Sequence, residues 1–167
     1  MVRCARALLL LLFFSPALQL KGQVAPADID AKIKILDSLN THNRRYDLVK
    51  ILKELDSLAQ KKELSPMQSL LYHYHYSNFY FDDSNLKKAE YHGLKADSLA
   101  NLVTLKPKRK AALMAALGNL YQVKGDFSLA EEYLLKSAEE AKIDGDSSRY
   151  YATLVNLAIN GEESGNI

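Results

Sequence analysis

Tyr72-His73-Tyr74-His75-Tyr76 concentrates the side chains most able to do chemistry. Histidines two apart share one face of a strand and could chelate a metal ion there. On a helix they point about 200° apart and cannot. The run reads as a helix whose wide aromatic face packs against neighbours, so no metal is expected. His42 and His92 have no companion at ligand spacing. Lys106-Pro107-Lys108-Arg109-Lys110 is a basic cluster of the kind that meets phosphate or an acidic partner. At a helix start its cations oppose the helix dipole, and it reads as a solvated connection. Glu131-Glu132, Glu139-Glu140 and Glu162-Glu163 pair carboxylates, but acid–base work needs a cleft and a shifted acidity. They read as charged outer faces of helices. The sequence contains no Gly-rich phosphate loop, nucleophile elbow or zinc-binding helix motif. No spacing of Ser, His and Asp singles out a triad. The expectation is a protein that is not an enzyme and has no cofactor.

The elements that must hold these residues begin after an apparent address. Arg3 and Arg6 precede an apolar run from Ala7 to Phe14, closed by Pro16 and followed by small residues at Ser15, Ala17 and Gly22. This order is that of a secretory signal peptide. Even counted to Leu20 the apolar stretch is about 14 residues, against about 20 for a membrane-spanning helix. We expect a signal peptide over residues 1–22, cleaved somewhere within 17–25, and an exported chain, periplasmic or secreted. Membrane contact is expected only if the segment stays uncleaved. Lys and Arg number 22 against 20 Asp and Glu; without Arg3, Arg6 and Lys21 the balance is 19 against 20, a net charge of −1. That near-neutrality offers no case for nucleic acid as a partner. Cys4 is the sole cysteine, so disulfides and thiolate sites are excluded from the mature chain.

The remainder repeats itself. Asp-Ser-Leu-Ala occurs at 56–59 and again at 97–100, an offset of 41. Shifting Leu117, Gly118, Tyr121 and Ala130 back by 41 lands on Tyr76, Ser77, Tyr80 and Ala89. Shifting Leu117, Gly118 and Gly125 forward by 40 lands on Leu157, Ala158 and Gly165. Small residues thus recur where helices approach closely, and large ones where they fill gaps. A period near 40 with few breakers implies stacked helix pairs. Ser65-Pro66-Met67-Gln68 offers an N-cap, a first-turn proline and a capping partner. Ser84 and Asp126 are the expected caps of two later helices. The pattern predicts helices over 27–41, 45–61, 66–82, 85–102, 107–124, 127–142 and 148–163.

On Leu117, Gly118, Tyr121, Gly125, Asp126 and Ala130 the chain resembles the tetratricopeptide repeat family. Tyr76, Ser77, Tyr80 and Ala89 resemble a degenerate earlier copy; Leu157, Ala158 and Gly165 resemble the opening of a later one. Met114 stands at the family's first aromatic, Gly93 replaces the large residue that is Leu134 in the better copy, and Lys142 replaces a frequent proline. The period exceeds the family's usual length of about 34, and the excess is expected near 103–106 and 144–148. The resemblance implies an all-α fold, a right-handed superhelical solenoid of antiparallel helix pairs with about three helical hairpins plus one extra helix. Its units would be a degenerate hairpin over 23–64, repeats over 65–105 and 106–146, and an incomplete repeat over 147–167. It also implies a concave face that holds an unidentified protein or peptide. Tyr74, Asn78 and Phe81 from one copy, with Asn119, Gln122 and Val123 from the next, would line it. Ala152, Val155, Ile159 and Glu162 would continue it.

Gly165-Asn166 reads as a turn that should launch another helix, so the sequence reads as a truncated product or as the amino-terminal part of a longer parent. Exported proteins of this type are similar to the sensory front ends of membrane-bound histidine kinases and helix-turn-helix regulators. That is the alternative to a free-standing interaction scaffold.

Overall fold

A computed structural model describes residues 26–39, 45–61 and 63–165. The expected signal segment, His42 and Asn166 lie outside the described residues. Among those described there are seven helices and no strand: α1 (Pro26–Ser38), α2 (Arg45–Ala59), α3 (Pro66–Asp82), α4 (Leu86–Ala100), α5 (Pro107–Lys124), α6 (Phe127–Asp144) and α7 (Ser147–Glu163).

Local chemistry sets the ends. Ser65 Oγ accepts from the Gln68 backbone N–H at 3.3 Å and the Ser65 N–H donates to Gln68 Oε1 at 3.1 Å, with Pro66 in the first turn. The spare Gln68 amide donates to Asp30 at 2.7 Å, tying α3 to α1. Gly125 and Gly145 end α5 and α6 in the left-handed region, at φ 78° and 72°. Asp126 and Asp146 then cap the next helices through their side chains.

Ser84 is not the cap of α4. It sits at φ 56°, donates its backbone N–H to the Phe81 carbonyl, and leaves capping to Asn85, whose side chain accepts from the Lys88 N–H. Ser84 is therefore the counterpart of Gly125, and Asn85 of Asp126, each 41 residues earlier. The excess length also falls differently. Residues 101–106 form a long connection between α4 and α5, but α6 and α7 are joined by Gly145 and Asp146 alone. The extra residues there extend α6 to 18 residues against 15 in α4.

Helices adjacent in sequence pack together, above all α3 on α4, α5 on α6 and α6 on α7; α1 also touches α3, α3 touches α5, and α5 touches α7. One apolar cluster joins Ile29, Ile33, Leu36, Leu52, Leu55 and Leu70; a second joins Leu113, Met114, Leu117, Leu120, Tyr121 and Ala130. Met114 is thus part of the core. Burial of such side chains supplies the main stabilisation.

The small residues show how the layers meet. A Cβ on Gly118 would lie 2.7 Å from Leu134 Cγ. In the earlier hairpin Ser77 faces Gly93, and the space is filled from α5: a Cβ on Gly93 would lie 2.8 Å from Leu117 Cδ2. The departure at Gly93 is therefore compensated by the next unit. Ala158 is exposed and Leu157 only half-buried, because no described helix covers that side of α7.

Candidate functional site: a groove along the odd-numbered helices

Three cavities lie along the face built by α1, α3, α5 and α7. The first, about 310 Å³, draws Asp37 from α1, Leu70, Leu71 and Tyr74 from α3, Lys108, Arg109, Ala112 and Leu113 from α5, and Arg149 from α7. The second, about 490 Å³, shares Asp37, Tyr74 and Arg149 and adds Asn78 and Phe79. The third, about 620 Å³, is lined by Phe81, Asn119, Gln122, Val123, Asn156 and Glu163 among others. Tyr74, Asn78, Phe81, Asn119, Gln122 and Val123 thus all reach this side. Helical periodicity puts them there: 74, 78 and 81 follow one stripe of α3, and 119, 122 and 123 one stripe of α5.

Their polar atoms are already engaged in part. Asn119 Oδ1 accepts from Asn156 Nδ2 at 2.8 Å, and Gln122 Nε2 donates to Glu163 at 3.1 Å, linking α5 to α7. Val123, Val155 and Ile159 are exposed.

Asp37 joins three helices. It accepts two hydrogen bonds from the Arg109 guanidinium, at 2.6 and 3.2 Å, and one from His75 Nε2 at 3.1 Å. Burial pushes its carboxyl up, but the bonds from His75 and Arg109 outweigh that and hold it at about 2. The basic cluster is therefore solvated only in part: Lys106 and Lys108 are exposed, while the two cations after them are paired. Residues 107–110 open α5, Arg109 binds Asp37 72 residues away, and Lys110 pairs with Glu140. Neither Asp37 nor Arg149 carries a local motif, so only the convergence of α1, α5 and α7 marks them.

The aromatic run divides as the helical reading requires. His75 turns to Asp37, while His73 Nδ1 lies 2.9 Å from His92 Nδ1, one donating to the other. His92 therefore has a companion, on the facing helix rather than at ligand spacing. It stacks on Tyr76 with centroids 5.1 Å apart. Burial, then the neighbouring His73, pushes His92 down to about 4. Among the described residues no group of three or more His, Cys, Asp or Glu could hold a metal ion.

The repeated Asp-Ser-Leu-Ala string also has a structural use. Asp56 accepts from the Tyr72 and Tyr76 hydroxyls at 2.7 and 2.5 Å, and Asp97 accepts from Tyr133 at 3.0 Å. Burial, then these carboxylates, pushes all three tyrosines above their ordinary range.

The fold and groove define an all-α protein with a recessed face lined by its alternate helices. No protein-family model, curated protein or solved structure matches the chain. No helix among the described residues is long and apolar enough to cross a membrane.

Proposed function

We propose that this protein is a non-catalytic scaffold that holds an extended peptide or protein segment in the groove along α1, α3, α5 and α7. The observation that carries the reading is the set of three cavities lined mainly by these helices, with Leu48 of α2 and Phe127 of α6 at their edges. A catalytic fold gathers reacting groups at one point; here apolar anchors, amides and charges are spread along a face. Tyr74 and Phe81 offer apolar anchors, and Asn78 offers an amide able to donate to and accept from a peptide backbone. Four packed helices hold that face rigid, so little entropy is lost on binding.

In this reading the helix pairs form a right-handed solenoid of the tetratricopeptide type. The 41-residue correspondence of Ser84-Asn85 with Gly125-Asp126 supports it, as do the contacts of α1 with α3, α3 with α5 and α5 with α7. Export by the amino-terminal signal belongs to the same proposal and rests on residue order alone.

The test is selection of randomised displayed peptides on the immobilised full chain. Peptides enriched on the wild type should be lost when Tyr74→Ala and Asn78→Ala are combined. No enrichment over an unrelated helical protein would end the proposal.

A further inference from the structure

The cavity shared by α1, α3, α5 and α7 differs in charge from the others. Lys108, Arg109 and Arg149 line it against a single acid, Asp37. That acid is committed to Arg109 and His75; Lys108 is exposed, and Arg149 has only a long ion pair with Asp146, outside the lining. Arg149 Nε is shielded from solvent and makes no hydrogen bond. Its ion pair with Asp146 is 3.8 Å long, beyond hydrogen-bond reach. About a third of the Arg149 side chain stays exposed, at 33%, so an acceptor entering the cavity can bond the guanidinium that lines it. Beside these cations the lining is apolar: Leu70, Leu71, Ala112 and Leu113, with Tyr74 as a wall. The cavity around Asn119 contrasts with it. There Glu163 offsets Lys124, and Lys124 is itself bound to Glu90 at 2.5 Å.

From this geometry we infer that the cavity takes the carboxylate of an acidic peptide residue, with Arg149 and Lys108 as its partners and an adjacent apolar side chain on the leucine floor. The inference rests on the groove reading and names the class of segment the groove holds. A carboxylate fits better than a phosphate for two reasons. Asp37 in the wall repels a second negative charge, and the chain after residue 22 carries a net charge of −1, unsuited to polyanions.

The measurement is titration of a fluorescent peptide, chosen from the selection above, against the full chain. Selected peptides should carry Asp or Glu beside Leu, Ile or Phe. Replacing that acid by its amide should weaken binding about tenfold, as should Arg149→Gln on the protein. The two changes together should cost little more than either alone, because they remove the same contact. Lys108→Gln, on an exposed side chain, should weaken the acidic peptide severalfold and leave its amide form unaffected. Enriched peptides without acids, or equal affinity for acid and amide forms, would overturn this inference and leave the groove reading standing. So would an Arg149→Gln loss that is the same for both forms. Displacement of the peptide by millimolar inorganic phosphate from the wild type but not from Arg149→Gln would reassign the cavity to phosphate. Failure to enrich any peptide would overturn both readings.

Discussion

Gly118 shows how narrowly a single position is specified. Its missing side chain lets Leu134 lie against the α5 backbone, and an added methyl would meet Leu134 at 2.7–2.8 Å and its backbone nitrogen at 3.2 Å. Alanine gains about 1 kcal/mol of helix propensity over glycine, but overpacking costs about 1–3 kcal/mol. The backbone contact sets the balance, because it cannot move as the end of a side chain can. Gly118→Ala should lower unfolding stability by about 1 kcal/mol, read as a lower denaturant midpoint with unchanged slope. Gly118 was legible as a small repeat position. Its partner was not, since 15 residues of intervening helix and turn separate them.

At the level of elements, the helix starts and stops follow side chains within four residues of each end. Helices over 66–82 and 107–124 fall where proline and periodicity put them, and the others differ by a few residues at their ends. The α3–α4 turn is the exception, because Ser84 takes a backbone conformation that glycine normally takes. A non-glycine residue there costs about 1–2 kcal/mol, while glycine loses about 0.4–1 kcal/mol through the unfolded chain. Ser84→Gly should therefore raise stability by about 0.5 kcal/mol, seen as a higher melting temperature of the full chain. A fall on substitution would mean that the serine hydroxyl contributes more than its backbone costs.

Across the whole molecule, buried titratable groups tie stability to pH in two windows. His92 is held at about 4 in the fold against an ordinary 6.5, so folding favours its neutral form. Its contribution is complete above pH 6.5 and is lost as pH falls towards 4. His73 is lowered too, by burial and then by Lys95. Screening at this half-buried pair leaves about 1–2 kcal/mol. Asp37 acts lower: held at about 2 against 3.8, it stabilises above pH 4 and ceases to do so towards pH 2. Melting temperature should fall between pH 6.5 and 4, then again below 4. His92→Gln should flatten the first fall and leave the second. An unchanged profile between pH 6.5 and 4 in that variant would show that His92 does not couple to folding.

Residue order by itself determined the helices, the caps Ser65 and Asp126 and the 41-residue correspondence between units, because periodicity, capping and turn chemistry act over a few residues. Tyr74, Asn78, Phe81, Asn119, Gln122 and Val123 were expected on one face only through the repeat resemblance. Only the tertiary structure decided what meets that face. The bond between Asp37 and Arg109, the histidine pair across α3 and α4, and the convergence of Arg149 on Tyr74 all join residues from different helices. Their distances depend on how the helices stack, and stacking is settled by the sum of many buried contacts rather than by any local signal.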